Sequence, residues 1–235
     1  MEISPDNIIF WHQDWLILNA TLVYSWLVML ILVIASWLAT RNLVVDPNRV
    51  SRWQNTLEII VEQLNTQIRE GICQEPTQFL PFIGTLFLFI CLSNVLTLFP
   101  YYESPAGSLS TAAALAICVL VAVPFYGIKN VGIGNYLKTY ISPLPLMLPF
   151  NIMSEISRTL SLAVRLFGNI MSTSLLVSIL VVLIPWIFPA ITRAFGMLIG
   201  VIQAYVFSIL ALVYIASGMQ AQRKTKHQIA KQQED

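Results

Sequence analysis

Charge is scarce in this sequence. Of its 235 residues, 11% are Asp, Glu, Lys or Arg and 57% are hydrophobic, whereas an average soluble domain has about a quarter charged residues and about 45–50% apolar ones. The mean hydropathy is +0.72. Because so little charge cannot keep so much apolar surface in water, the composition excludes a soluble globular protein and indicates an integral membrane protein.

An excess of basic residues is also missing. The 13 Lys and Arg residues nearly balance the 12 Asp and Glu residues and leave a net charge of +1. No basic stripe is therefore available to bind phosphates, and the sequence excludes a nucleic-acid-binding protein.

Patterns that bind metals or nucleotides are absent as well. Cys73, Cys91 and Cys118 are odd in number and lack metal-like spacing, so we interpret them as small apolar residues rather than a disulfide framework. His12 and His227 lie in opposite terminal segments, and the sequence has no glycine-rich phosphate loop. We therefore expect no metal or other cofactor, and any nucleotide chemistry would belong to partner subunits.

Long uncharged segments, in contrast, are abundant. A membrane-spanning helix needs about 20 mostly apolar residues. The segments that qualify lie at about 15–39, 79–99, 109–128, 149–185 and 191–217. They predict a single all-α membrane domain over 1–235 with about five membrane-embedded helices. Because 1–14 contains no Lys or Arg, we expect no cleavable signal sequence and a first helix that acts as its own insertion signal.

Two further segments differ from these spans. Within 48–71, apolar residues recur at helical spacing opposite charged ones. This pattern predicts an amphipathic helix that lies in the membrane interface or, alternatively, packs on a partner subunit. The last segment, 220–235, is polar and is predicted to be solvated or frayed.

The basic residues predict an orientation. All but three of the 13 Lys and Arg residues follow the first, third or fifth span, whereas the opposite segments, 1–14 and 100–108, carry acids but no Lys or Arg. The positive-inside rule then places the N-terminal segment outside and the tail 220–235 in the cytoplasm.

The last two spans contain the three remaining basic residues. Arg158 lies three residues from Glu155, and an ion pair between them is one interpretation of both. Glu155 has an equally good alternative role, as a lining group of the cytoplasmic access path. Arg193, close to the predicted turn at 185–189, is interpreted as an anchor that reaches the interface.

Arg165 has no comparable explanation. It lies in the apolar interior of the fourth span, and Glu155 is the only acid in the last two spans. A mid-membrane Arg costs about 2.5–3.5 kcal/mol on insertion scales, so it normally faces a hydrated cavity or a counter-charge. The alternative to a hydrated cavity or a counter-charge is that the Arg165 side chain snorkels to the membrane interface or binds backbone carbonyls. We expect its carboxylate partner to come from another subunit.

Polar residues accompany Arg165 along one face of the helix. Arg158, Ser161, Arg165, Asn169 and Ser172 follow one another at spacings of three and four residues, which places them on a common face. A single Ser in a membrane helix can simply bond to its own backbone. Clustered around an Arg, these side chains predict a hydrated path.

The same segment carries a family motif. Ser161, Leu162 and the run from Arg165 to Asn169 read Ser-Leu-x-x-Arg-Leu-Phe-Gly-Asn, and the chain thereby resembles subunit a of F-type ATP synthases. The resemblance also includes 94–100, 109–116, 202–207 and 212–215. It covers about 55–222, most of the chain.

The resemblance implies a role for the last two spans. Arg165 matches the essential arginine that faces the carboxylates of the rotating c-subunit ring, and Gln203 matches a glutamine near enough to hydrogen-bond that arginine. The segment 149–218 would form a long tilted hairpin against this c-ring. The implied partners are the c-ring, subunit b of the peripheral stalk, the other ATP synthase subunits and the lipid of a bacterial plasma membrane or, alternatively, a thylakoid membrane.

The implied function is not catalytic. The subunit would provide two aqueous half-channels for protons, with Arg165 separating them, while ATP chemistry takes place in other subunits. The residues expected to line or control this path are Arg165, Gln203, Asn169, Ser161, Glu155, Arg158 and Ser174.

Two positions depart from the family pattern. Proton-translocating members usually carry a carboxylate or His nine residues after the essential arginine and another seven residues before the glutamine, where this chain has Ser174 and Gly196. Protons would then move through water, Ser174 and Thr173, or by way of Glu155. Hydroxyl and carbonyl oxygens equally suit sodium. We expect protons, with a sodium-translocating complex as the alternative.

Two other classes of membrane protein compete with this interpretation. A secondary transporter that binds an anion at Arg165 would often show duplicated halves or matching broken helices, and the sequence has no internal repeat. A structural scaffold would need no unpaired mid-membrane Arg.

Overall fold

The computed structural model describes residues 9–13, 16–41, 78–99, 102–132, 147–184 and 187–234, and within 48–71 it describes 55, 58–59, 61–63, 65–67 and 69. The strands are β1 (Ile9–Gln13) and β2 (Leu16–Asn19). The helices are α1 (Ala20–Arg41), α2 (Leu80–Val95), α3 (Leu109–Val131), α4 (Met147–Leu183) and α5 (Phe188–Glu234). Two 3-10 turns, Leu96–Leu98 and Pro105–Gly107, lie between α2 and α3.

All five α-helices named above are long and apolar enough to cross a membrane. Their candidate spans are Ala20–Leu38, Leu80–Leu98, Leu109–Lys129, Pro149–Leu183 and Phe188–Gly218. The predicted helical membrane architecture is therefore confirmed, and the last four spans begin and end within a few residues of the predicted bounds.

The first helix begins later than the sequence predicts. Leu16–Asn19, which hydropathy assigns to the first span, pairs with Ile9–Gln13 as an antiparallel strand, with Ile17 opposite His12. A short apolar run has no periodicity that separates strand from helix. The predicted start at about residue 15 is wrong for this reason, and the helix starts at Ala20.

Two predicted segments outside the spans are helical where they are described. The tail 220–235, predicted to be solvated or frayed, continues α5 as helix to Glu234, and its Ala, Gln, Lys and Arg residues are strong helix formers. Every described residue of 48–71 is helical. Gln67 donates a hydrogen bond to the Tyr205 hydroxyl of α5, so part of this segment contacts the same chain.

The two long helices are too long to stand upright. The spans Pro149–Leu183 and Phe188–Gly218 contain 35 and 31 residues. At about 1.5 Å per residue they measure about 52 and 46 Å, against a hydrocarbon core of about 30 Å. Their length agrees with the predicted tilted hairpin, because a steep tilt or a bend is needed to keep both spans in lipid.

The apolar core lies where α2, α3, α4 and α5 meet. Phe79, Leu162, Leu166 and Phe207 are almost completely buried there. Small residues let the helix backbones approach closely. They are Ala112 and Ala116 on α3 and Ala204 and Ala211 on α5.

Helix α1 lies outside this core. It exposes large apolar side chains along its length, among them Trp26, Leu30, Val33 and Trp37. Such a surface is unsuited to water and is typical of a helix that faces lipid or another membrane helix.

The connection between α2 and α3 is fixed at its end. The Ser108 hydroxyl accepts a hydrogen bond from the Ser110 N–H at 3.2 Å and caps the first turn of α3. Gly107 packs so closely on α4 that a Cβ at this position would lie 3.0 Å from Ile170. The connection is thus held against α4, beside the polar residues described next.

Candidate functional site

Arg165 lies on the exposed side of α4, which also carries Ser161 and Ser172 and which we call the open face. Its neighbours Leu162 and Leu166 are 1% and 0% exposed, so they turn the opposite face of the helix into the core. Arg165 itself is exposed, and no described carboxylate forms an ion pair with it. The chain therefore presents an unpaired guanidinium in the interior of a span, on a surface that a partner can reach.

The predicted polar stripe shares this face. Arg158, Ser161 and Ser172 are exposed like Arg165, and Asn169 is half-buried because it turns toward α5. The three- and four-residue spacing thus predicts the common exposed face of the other four side chains, whereas Asn169 departs from it.

Gln203 of α5 belongs to the interior rather than to this open face. It is 5% exposed, and its Oε1 accepts a hydrogen bond from Asn169 Nδ2 at 3.3 Å. The Gln203 Nε2 atom is buried and finds no hydrogen-bond partner in the described part of the chain. Asn169, one turn beyond Arg165 along α4, is the described residue that hydrogen-bonds this glutamine, and the proximity of Gln203 to Arg165 stays a prediction.

A narrow polar cavity of about 100 Å³ lies between α2, α4, α5 and the connection from α2 to α3. We call it the loop cavity. Its polar lining residues are Asn94, Thr97, Tyr102, Glu103, Ser104, Asn169, Thr173, Ser174, Ser178 and Arg193. The predicted residues Asn169 and Ser174 thus share one cavity, whereas Arg165 lies outside it.

Glu103 is a lining residue that the sequence interpretation misses. Burial raises the pKa of its carboxyl above the usual value, and the nearby positive charge of Arg193 partly opposes this shift. Burial also raises the pKa of Tyr102 to about 12, so this phenol stays protonated near neutral pH. Glu103 is therefore a carboxyl group of the loop cavity whose charge is influenced by Arg193, and Arg193 does not serve only as an anchor.

Two glycines of α5 close the helices around the loop cavity. A Cβ on Gly196 would lie 2.2 Å from the Thr173 methyl group on α4, and one on Gly200 would lie 2.6 Å from Asn94 Cγ on α2. Asn94 also donates a hydrogen bond to the Gly200 carbonyl at 3.3 Å. Glycines four residues apart permit such close approach of membrane helices.

A wider cavity of about 280 Å³ lies at the other end of the hairpin, between α3, α4 and α5. We call it the tail cavity. Glu155 and Arg158 both line it, together with Asn151 and Tyr214. The Arg158 guanidinium carbon lies 5.8 Å from the centre of the Tyr214 ring, within cation–π range. The two charged residues predicted near the start of the fourth span thus contribute to one polar space.

Apolar packing separates the two cavities. From Thr159 in the tail cavity to Asn169 in the loop cavity, α4 advances about 15 Å. In this interval Leu162 and Leu166 are buried in the same core as Ala204 and Phe207 of α5. The two cavities share no lining residue, and Arg165 lies on the outer surface of the same interval.

The described residues contain no cluster suited to a metal ion. No group of three or more His, Cys, Asp or Glu side chains converges in the part of the chain that the structure describes.

Comparison with known proteins identifies the family. The pattern of the ATP synthase A chain matches residues 22–216, most of the chain. The chain belongs to the ATP synthase A chain family. "ATP synthase subunit a 1" of Crocosphaera subtropica is 68% identical over 224 residues, 95% of this chain and 97% of that relative. "ATP synthase subunit a" of Albidiferax ferrireducens is 54% identical over 223 residues, 95% and 96% of the two chains. The protein of the same name from Nitrosospira multiformis is 52% identical over 217 residues, which are 92% of this chain and 86% of that relative.

This finding confirms the resemblance inferred from the Arg165 motif. An A chain is an ion-translocating membrane subunit of the ATP synthase complex, and five apolar helices make it a multi-pass membrane protein. The sequence offers one signal for the overlooked lining group of the loop cavity: Glu103 is the only acid between Glu75 and Glu155.

Proposed function

We propose that this A chain provides two half-channels for ions and that the loop cavity and the tail cavity are their inner ends. The observation that carries the proposal is the placement of two polar cavities at opposite ends of the α4 and α5 pair, with apolar packing between them and Arg165 exposed over the interval. In this proposal an ion leaves one cavity, travels on a partner and returns to the other.

The partner in this proposal is the c-subunit ring. The open face of α4, with Ser161, Arg165 and Ser172, lies against it, and each ring carboxylate meets Arg165 in turn. A bare carboxylate is costly in lipid, whereas a guanidinium stays charged and stabilises it. A carboxylate that approaches Arg165 gives up its ion to one half-channel, and after passing it takes another ion from the opposite side.

The driving force follows from the same arrangement. Each elementary charge that crosses a potential of about 100 mV supplies about 2.3 kcal/mol. Because Arg165 prevents a loaded carboxylate from turning back with its ion, this free energy drives rotation of the ring. Subunit b, the remaining ATP synthase subunits and lipid cover other surfaces, among them the apolar face of α1.

We further propose a location and an orientation. The positive-inside rule places the N-terminal segment outside and the C-terminal tail in the cytoplasm of a bacterial plasma membrane, or on the equivalent sides of a thylakoid membrane. The loop cavity then communicates with the outside, because the connection between α2 and α3 lies on the N-terminal side of the membrane.

The proposed ion is the proton, and sodium is the second candidate. Hydroxyl groups support both, since Thr97, Thr173, Ser174 and Ser178 line the loop cavity and can order water for protons or coordinate a hard cation. The carboxyl of Glu103 can take up either ion.

The test is ATP-driven ion uptake by the complete complex reconstituted in vesicles. We expect Arg165→Ala to abolish coupled uptake while ATP hydrolysis continues, because ring carboxylates no longer exchange ions at a defined point. Arg41→Ala serves as the matched control, since Arg41 lies at the exposed end of α1 beside Trp37. Uptake that survives Arg165→Ala would overturn the proposal and favour a secondary transporter or a scaffold.

The ion is identified in the same preparation. Sodium is varied from trace to millimolar concentrations at fixed pH. Acidification that is independent of sodium supports protons. Sodium uptake that resists an uncoupler contradicts the proton assignment and establishes the sodium alternative.

A further inference from the structure

The carboxylate that lines the loop cavity does not lie at either of the positions that the family pattern predicts. The two helix positions where proton-translocating relatives usually carry a titratable group are Ser174 and Gly196, and both line this cavity. Neither can titrate. The acid is supplied instead by Glu103, from the connection between α2 and α3.

The packing explains why α5 cannot carry the acid. A Cβ on Gly196 would lie 2.2 Å from the Thr173 methyl group. Thr173 cannot easily move away, because its hydroxyl donates a hydrogen bond to the Asn169 carbonyl at 3.0 Å and its side chain branches at Cβ. A carboxylate at residue 196 would therefore require α4 and α5 to separate.

The cavity connects Glu103 with the polar groups nearest to Arg165. Glu103 lies in the connection, and Asn169 lies at the other limit of the lining along α4, one turn from Arg165. The hydroxyls of Thr173 and Ser174 are on the same lining. Glu103, these hydroxyls and Asn169 thus share one cavity, and Asn169 is hydrogen-bonded to Gln203.

The groups around Glu103 fit reversible ion binding. Arg193 on α5 is the cationic group of the lining, and α2 contributes the neutral Asn94. Tyr102, next in the chain, has its pKa raised by burial to about 12 and stays neutral. Burial favours the protonated carboxyl of Glu103, and Arg193 opposes this by favouring the charged form. Glu103 is therefore neither locked in an ion pair nor permanently neutral.

We propose that Glu103 is the ion-entry carboxylate of the loop-side path: it takes up the translocated cation, a proton or a sodium ion, and releases it into the hydroxyl-lined cavity toward Asn169. For a proton, Glu103 binds H⁺ from solution to form the neutral acid and then returns it to water or a hydroxyl in the cavity, so no other reactant is needed. This inference rests on the proposed function.

The test is potential-driven ion flux through the reconstituted complex. Glu103→Gln keeps the size of the side chain and removes the negative charge of the carboxylate that binds the ion. We expect flux to fall about tenfold or more. Glu103→Asp should retain much of the flux. Glu62→Gln is the matched control, because Glu62 is an exposed carboxylate that does not line the cavity.

A relocated carboxylate separates ion binding from a structural role. Ser174 lines the same cavity and is exposed, so a longer side chain has room there. We expect Glu103→Gln combined with Ser174→Glu to recover flux several-fold over Glu103→Gln alone. Recovery in Glu103→Gln combined with Arg193→Gln would instead show that Glu103 only balances the charge of Arg193, and would overturn the inference.

The outcomes also separate this inference from the proposed function. Flux within twofold of wild type in Glu103→Gln, with coupling still lost in Arg165→Ala, overturns the role of Glu103 and leaves the proposed function intact. Coupling that survives both variants overturns both. If sodium is the translocated ion, the sodium concentration for half-maximal flux rises in Glu103→Gln. If the proton is the translocated ion, the dependence of flux on external pH changes in Glu103→Gln and sodium has no effect. Either supports the inference.

Discussion

The two cavities of this A chain are built in different ways. The tail cavity takes its charged residues, Glu155 and Arg158, from a single helix, one turn apart. The loop cavity takes Glu103 from a connection, Arg193 from α5 and Asn94 from α2, and its hydroxyls come from the connection and α4. One cavity is thus a local feature of the chain, and the other depends on how four distant segments pack.

The cavities also differ in size and in tolerance of change. The tail cavity has about 280 Å³ and the loop cavity about 100 Å³. Around the narrower one, Gly196 and Gly200 leave no room for a Cβ. Because the narrow cavity leaves less room for a change in side-chain volume, substitutions at the loop cavity should have the larger effects.

The largest effect is expected for filling the contact at Gly196. Gly196→Ala inserts a methyl group where the Thr173 methyl already lies, and overpacking of this kind costs about 1–3 kcal/mol, occasionally more. We expect weak assembly of the chain into the complex and little ion flux, measured by the amount of subunit retained and by potential-driven uptake.

Gly84→Ala is the matched control for Gly196→Ala. Gly84 is also buried in a span, but a Cβ there meets no atom within 4 Å. This variant should assemble and transport like the wild type. If Gly196→Ala behaves in the same way, the loop cavity is not closed by the glycine contact and its difference from the tail cavity is smaller than the structure indicates.

A second prediction concerns the pH response of the loop cavity in a proton-translocating complex. Arg193 lowers the pKa of Glu103, so Arg193→Gln should raise that pKa further. Proton entry weakens as external pH rises through the pKa of Glu103, because the protonated fraction falls. The decline should therefore move to higher external pH in Arg193→Gln and disappear in Glu103→Gln.

Flux measured against external pH at constant potential checks this prediction. Arg41→Gln, which removes an Arg far from the cavity, should leave the profile unchanged. A decline that moves to lower pH in Arg193→Gln would mean that another titratable group controls entry.

A third, smaller effect is expected at the contact between Asn169 and Gln203. Asn169→Leu removes the donor to Gln203 Oε1 and leaves a buried acceptor unpaired. Hydrogen bonds between membrane helices contribute about 0.6–2 kcal/mol. We expect a lower temperature for dissociation of the subunit from the complex. Asn151→Leu, at an exposed position of the same helix, should have no comparable effect.

The sequence predicts the parts of this molecule that depend on local pattern. Hydropathy over about 20 residues locates the five spans, and residue spacing predicts the common exposed face of Ser161, Arg165 and Ser172 on α4. The motif around Arg165 identifies the family. All these signals lie within a single helix or span, where the geometry of the helix fixes which side chains are neighbours.

The sequence does not predict what depends on contacts between distant segments. Glu103 and Arg193 are 90 positions apart by their numbering and meet only because α2 and α5 pack at Asn94 and Gly200. For the same reason the sequence does not predict the hydrogen bond between Asn169 and Gln203. The sequence does not predict the hairpin of β1 and β2, because a run of three apolar residues fits a strand and a helix equally well.

The smallest effect is expected at the tail cavity. Tyr214→Leu removes the ring that lies over Arg158, an interaction of about 0.5–1 kcal/mol at an exposed site, while Glu155 and the width of the cavity remain. Ion flux should fall by less than about threefold, and Tyr214→Phe, which keeps the ring, should match the wild type. Flux that falls as far in Tyr214→Leu as in Glu103→Gln would reverse the comparison, because the wide cavity would then limit translocation as strongly as the narrow one.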